Sequence, residues 1–476
     1  MVDEESACEN AAEQGAASEE RKPAFLKRLD KGLDLAAKLP DLPLPGRSDR
    51  AREGARNEER SKEPSTMLTY VREAFDSFAE RPLGEVDSIV FAWLSYYRLN
   101  SALKRAATWE GIALSELLRA EDFEQMFGTS WDPEASRDLL FAVCASPRFR
   151  AVRLCGWRYK TNEEEEEQFA AMTFRLPTGA TYVAFRGTDS TIVGWKEDLN
   201  MAYLCPVPSQ VEAAAYLEEA LRALDGPVYV GGHSKGGNLA VYAAAQCPVA
   251  LQGRIVRAFS HDGPGFDDAF LASSGFLALQ GRICKTIPKS SVIGLIMDDG
   301  SQAEVVESDG VSVFQHNPFL WEVEGNAFKR ADGLTASARY LATTIASWMA
   351  RFTPEERGRF IDTLFGVIGV TGANRFADIK DSWKTSFPAM REAAGELDPE
   401  ERDIVLDVIK ALAKTATIDK VSDAATSLIA SINPLRDDGA DGADEEDGEA
   451  GVPGFTSAED VPPSAGELVS KSSPDA

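Results

Sequence analysis

Apolar and polar positions recur along this chain with two periods, and the switch between them marks the elements. In EVDSIVFAWLSYYRL, Val86, Ile89, Val90, Trp93, Leu94 and Tyr97 fall three and four apart, which predicts a helix with one apolar face. Further on, QFAAMTFRL and ATYVAFRG flank Pro177-Thr178-Gly179, predicting two strands joined by a tight turn. Tyr216, Leu217, Ala220, Leu221 and Leu224 form the buried stripe of a helix that Ser209 caps, with Glu212 completing a capping box. GPVYVGGH, RIVRAFS and RICKTI then read as strands, with NLAVYAAA and FDDAFLASS as the helices between them. EVVESDGVSVF alternates on both sides of Asp309-Gly310, a hairpin signal. Strands interleaved with helices predict a mostly parallel α/β sheet.

From Leu334 onward the strand pattern stops. Two helix starts share a signature there: Thr353 or Asp398 caps, Pro354 or Pro399 takes the first helical position, and glutamates follow where the helix dipole favours negative charge. The expected organisation is an α/β domain over 67–333 and a helical region over 334–435, packed on it or following it. Residues 1–66 and 436–476 show no sustained period and read as disordered tails; from Asp437 about a dozen acidic residues face a single lysine. Within the first tail, Phe25, Leu29, Leu33 and Ala36 sit at helical spacing among basic residues. That stretch reads as a transient helix, with peripheral contact to a membrane surface or a partner as the alternative. The EEEEE run at 163–167 reads as an exposed loop, since nothing nearby supplies further metal ligands.

Charge and composition then narrow the class. A net charge of −27 repels phosphates and argues against nucleic-acid binding, while 44% hydrophobic content supports a core. No apolar run is long enough to span a membrane, and the N-terminus lacks the basic and apolar regions of a signal peptide. The six cysteines are scattered without a C-x-x-C pair, as expected of reduced thiols in a cytoplasmic protein. Oligomeric state is left open.

The candidate chemistry centres on Gly232-His233-Ser234-Lys235-Gly236, a G-x-S-x-G pattern. A strand precedes it and a helix follows, the setting in which a sharp turn lifts a serine hydroxyl clear of a sheet. An activated serine also needs oxyanion donors. The backbone N–H of Lys235 is one candidate, and the N–H of Thr188, in the polar loop after VAFRG, is the second. Arg186 and Asp189 are expected to brace that loop. A Ser-Lys dyad is rejected, because adjacent side chains on such a turn point apart.

FRGTDSTIVGWKEDL resembles the oxyanion-loop motif of class 3 lipases, F-R-G-[ST] followed by W-x-x-D-[LI], and GHSKGGNLA resembles their G-H-S-x-G-[GA]-x-L-A elbow. With EVDSIVFAWLSYYRL, QFAAMTF and QHNPFLW, the chain resembles a bacterial Mbeg-one-like family of lipase-related proteins over roughly residues 75–435. The resemblance implies an α/β-hydrolase fold. Of three histidines, His233 is expected to pack beneath the turn, His261 ends a strand, and His316 in VFQHNPFLW stands where the fold keeps its general base. The acid is less direct. Class 3 lipases place an aspartate after the strand RICKTI, where this chain has Ser290 and Ser291. Asp262 in FSHDGPGF resembles the acid-bearing turn of pancreatic-type lipases and is preferred, with Asp298 and Asp299 as alternatives.

The expected activity is hydrolysis of a small-molecule or lipid ester through Ser234, His316 and Asp262, with no metal or organic cofactor. The competing expectation is a non-catalytic binding or scaffold protein on the same fold.

Overall fold

The computed structural model describes residues 64–397 apart from 129, 190, 299, 301, 311, 375–377 and 380–381, together with 402, 405 and 406. An eight-stranded sheet lies at its centre, with strand order following chain order. The strands are β1 (Ile112–Ala113), β2 (Arg153–Asn162), β3 (Glu167–Arg175), β4 (Thr181–Phe185), β5 (Val228–His233), β6 (Ile255–His261), β7 (Ile283–Pro288) and β8 (Ala303–Val306). Strands β1 to β4 pair antiparallel and β4 to β8 pair parallel.

Alternation within β4 shows how the pattern becomes architecture. Tyr182 and Ala184 join the apolar core on one face, and Val183 and Phe185 the core on the other. A strand covered on both faces reads as a continuous apolar run. The first core takes in α1 (Met67–Glu73), α2 (Glu85–Leu94) and α3 (Pro133–Ala145); the second takes in α5 (Pro208–Ala223) and α6 (Lys235–Gln246). Between β4 and α5 lies α4 (Ile192–Asn200). This is the α/β-hydrolase arrangement, a mostly parallel sheet with flanking helices.

Among the described residues, three further helices follow the sheet: α7 (Ala336–Arg351), α8 (Pro354–Gly369) and α9 (Trp383–Ala393). Thr353 caps α8 through a capping box with Glu356, Pro354 taking the first helical position as expected. Ile361, Leu364 and Ile368 of α8 pack with Trp195 from α4, while Lys196 reaches Asp362 at 3.0 Å. The helical region thereby touches the element that follows the Thr188 loop. The start at Asp398-Pro399, the stretch Phe25–Ala36, Asp299 and all but three residues of the tail read as 1–66 lie outside the described residues, as does the whole of 436–476.

Several local expectations are corrected. Among the described residues no hairpin forms around Asp309-Gly310: Ala303–Val306 is β8, but Ser312–His316 is a 3₁₀ turn. Val306 and Ser308 bridge to Arg330 and Trp321 instead, and Gln315 curls the segment by accepting from Ser290 N–H and donating to the Gly310 carbonyl. Ser209 is not the cap of α5. Pro208 opens that helix, and Gln210 accepts from the N–H of the capping residue Val207 at 2.9 Å, so proline and glutamine supply the start signal. Helix α2 is buried all round, Asp87 and Ser88 included, because sheet and helices enclose it. Glu167 is the buried first residue of β3, paired with Lys160, so the acidic run is a loop only as far as Glu166.

Candidate active site

Strand β5 ends at His233 and α6 begins at Lys235, which leaves Ser234 alone on the turn with φ 58° and ψ −134°. A non-glycine residue at positive φ is strained, and its surroundings must hold it there. Ser234 N–H donates to the His261 carbonyl at 2.9 Å, and Gly237 N–H donates back to the Ser234 carbonyl at 2.9 Å. Two glycines let the loop after β4 approach this turn. A Cβ on Gly236 would stand 2.2 Å from the Phe185 carbonyl oxygen, and one on Gly187 would stand 2.6 Å from that of His233.

The loop brought this close carries Thr188. Its hydroxyl donates to Asp198 Oδ2, and Trp131 Nε1 donates to its carbonyl at 3.2 Å. Asp189 accepts from Gln168 and from Arg98, both at 2.5 Å, and lies 3.6 Å from Arg186, so this aspartate braces the loop. Among the described residues, no acceptor takes the amide hydrogen of Thr188 or of Lys235. Both residues line the pocket that holds Ser234, and the Lys235 amide stands at the positive end of α6.

His316 enters the same pocket from the 3₁₀ turn after β8. Its Nδ1 lies 2.6 Å from Asp262 Oδ2, a charge-assisted contact that directs Nε2 away from the carboxylate. Asp262 follows β6, is buried, and has φ 51°. Its other oxygen accepts from the Ser291 hydroxyl and from Gly294 N–H at 3.1 Å. Ser291, standing where class 3 lipases keep their acid, thus orients an acid carried by the preceding strand. Asp298 is engaged elsewhere, with Lys285 at 2.7 Å and Gly300 N–H at 2.7 Å.

Ser234 Oγ has no hydrogen bond among the described residues, nor does His316 Nε2. The serine–imidazole bond is therefore open, as such bonds often are before substrate binds. His233 packs beneath the turn. Its Nε2 lies 2.8 Å from the His316 carbonyl, Tyr96 lies 3.2 Å from its Nδ1, and its ring faces that of His316 at 4.5 Å. Burial above all, and then the neighbouring His316, hold its pKa well below the usual range, so it stays neutral. His261 is buried against Ser88 Oγ at 2.8 Å and takes no part in the pocket.

The pocket walls are largely apolar, with Trp93, Trp131, Trp195, Met201, Ile293 and Phe314 among them. Asp198 and its neighbour Glu197 were not singled out by sequence reading. The only signal for them was the W-x-x-D-L segment, which carries no chemistry until the fold sets it against Thr188 and Lys235.

Residues 143–366 match the family model described as Mbeg1-like. The native propeptide complex of Rhizomucor miehei lipase is 14% identical, covering 67% of this chain and 89% of its own, with a TM-score of 0.31. M37 lipase is 16% identical, covering 44% and 67% respectively, with a TM-score of 0.26. No curated protein matches the chain.

Proposed function

We propose that this chain, Mbeg1-like over residues 143–366, is a serine hydrolase of carboxylic esters. The observation that carries the reading is the His316–Asp262 contact of 2.6 Å in the pocket that also holds Ser234. In this mechanism Ser234 Oγ attacks the ester carbonyl carbon while His316 Nε2 accepts its proton. Asp262 keeps the imidazole in the tautomer with Nδ1–H and stabilises the imidazolium. The amides of Thr188 and Lys235 receive the oxyanion. His316 then protonates the leaving alcohol, and a water activated by the same imidazole releases the acid from the acyl-enzyme. The apolar walls suit the acyl group of the ester, whether from a small molecule or a lipid.

A second reading, a non-catalytic binding or scaffold protein, is favoured by one feature: the open bond between Ser234 and His316. Hydrolysis of p-nitrophenyl esters by the full chain separates the two. Activity lost in Ser234→Ala and in His316→Ala supports the hydrolase, whereas a folded wild type without turnover selects the scaffold.

A further inference from the structure

Lys235 occupies an unusual place. It is adjacent to Ser234, yet its side chain is buried, with the ammonium 2.8 Å from Glu197 Oε2, 3.0 Å from the Gln168 carbonyl and 3.7 Å from Asp198 Oδ1. Glu197 is fully committed, accepting also from Gln168 N–H at 3.0 Å and Ser209 N–H at 2.9 Å, so it fixes the ammonium in position. Asp198 is not. Its Oδ2 receives the Thr188 hydroxyl, while its buried Oδ1 has no hydrogen bond among the described residues and lies 3.7 Å from the Lys235 ammonium. A leucine would fill the space beneath α6 without the desolvation cost of a buried ammonium.

We infer that Lys235 is a positioning residue for the oxyanion site: its ammonium holds the Asp198 carboxylate ionised, and Asp198 in turn holds Thr188 with its amide toward Ser234. The inference rests on the hydrolase reading above and adds a residue to it. One amino acid then serves both oxyanion donors, offering its own amide on one side of the turn and fixing the other donor through its side chain. An ionised acceptor makes a hydrogen bond about twice as strong as a neutral one, so protonation of Asp198 would loosen the Thr188 loop.

Several groups face the Asp198 carboxyl. They are Lys235 from α6, Glu197 from its own helix, the Thr188 hydroxyl and Tyr96, while His233 and His316 line the same pocket. Burial raises the Asp198 carboxyl to about 6, with Lys235 the largest opposing influence. The ionised form is therefore lost as pH falls through about 6, and it would be lost at higher pH without the lysine.

The test is a carboxyl ¹³C NMR titration of Asp198 in the full chain, its signal assigned by loss in Asp198→Asn, alongside the pH dependence of kcat for ester hydrolysis. Asp198 should titrate higher in Lys235→Met, and higher by a smaller margin in Lys235→Met with Glu197→Gln, because losing Glu197 also takes away a like charge that raises it. The acidic limb of kcat, which the His316 base also shapes, should move upward in the same direction, with KM little changed. A folded Lys235 variant whose Asp198 titration does not move overturns the inference. Should neither variant fold, Asp198→Asn decides: it leaves Thr188 only a neutral acceptor, so kcat should fall with KM little changed, and an unchanged kcat also overturns the inference. A moved titration in a chain without turnover supports the Lys235–Asp198 coupling while removing the hydrolase reading.

Discussion

Two buried charge clusters on this molecule are built differently. Near α1 and α2, Arg148 places Nε and Nη2 each 2.7 Å from an oxygen of Asp87, and its remaining donors go to the carbonyls of Asp76, Ser77, Arg81 and Pro82. Tyr70 and the Gly84 amide complete Asp87, and Phe78 lies 4.0 Å beneath the guanidinium. Every group there is satisfied. At the pocket, by contrast, Asp198 Oδ1, the amides of Thr188 and Lys235, and Ser234 Oγ have no hydrogen-bond partner among the described residues, and Ser234 and Asp262 sit at positive φ. The first cluster fixes helices. Unused hydrogen-bonding capacity and backbone strain gather at the second, where a substrate could use them.

Substitutions can break this contrast from either side, and the largest effect is expected at the pocket. Asp262→Asn keeps the shape but lets the imidazole take the wrong tautomer, so kcat should fall roughly ten-thousand-fold with little change in unfolding free energy. Steady-state hydrolysis and urea unfolding on one sample check both halves. Arg148→Ala should do the reverse. It strands Asp87 as a buried, uncompensated charge, costing about 3–5 kcal/mol in urea unfolding, while turnover per folded molecule stays near wild type.

A third prediction uses His261, which lies behind the site. Burial lowers its pKa to about 3, and its Nδ1 has no hydrogen bond. An unfolded histidine takes up a proton near its ordinary value of about 6.5, whereas the folded one does not. Its contribution to stability is therefore complete above that pH and is lost progressively as pH falls toward about 3. Urea unfolding between pH 8 and 4 should show this slope, to which buried His233 adds its own, and His261→Gln should reduce it. The smallest effect is at the turn itself. Ser234→Gly abolishes turnover and relieves the positive φ, so unfolding free energy should rise by about 1 kcal/mol.

Much of the frame was legible in the sequence because it rests on local signals. The alternation in ATYVAFRG, the strand-to-helix switch around Ser234 and the Thr353-Pro354 start all act within a few residues. Other features depend on contacts between distant segments. Asp309-Gly310 carries hairpin chemistry, but Val306 and Ser308 find partners at Arg330 and Trp321. Strand β2 went unrecognised, since RLCGWRYKTN has a bulge between Cys155 and Arg158 that interrupts its alternation. The Lys235 amide was legible on the elbow, but the pairing of its side chain with Glu197 and Asp198 has no local signal and comes only with tertiary structure. Asp262 was preferred because FSHDGPGF resembles the acid-bearing turn of pancreatic-type lipases, but the role of Ser291 in orienting it belongs to tertiary structure.

The central claim is that Ser234 is an activated nucleophile, and covalent labelling with a fluorophosphonate tests it most directly. Intact-mass and peptide analysis of the full chain should show one adduct, on Ser234, that disappears in Ser234→Ala and forms far more slowly in His316→Ala. A folded chain that takes up no label, or one whose label survives Ser234→Ala, would contradict the account.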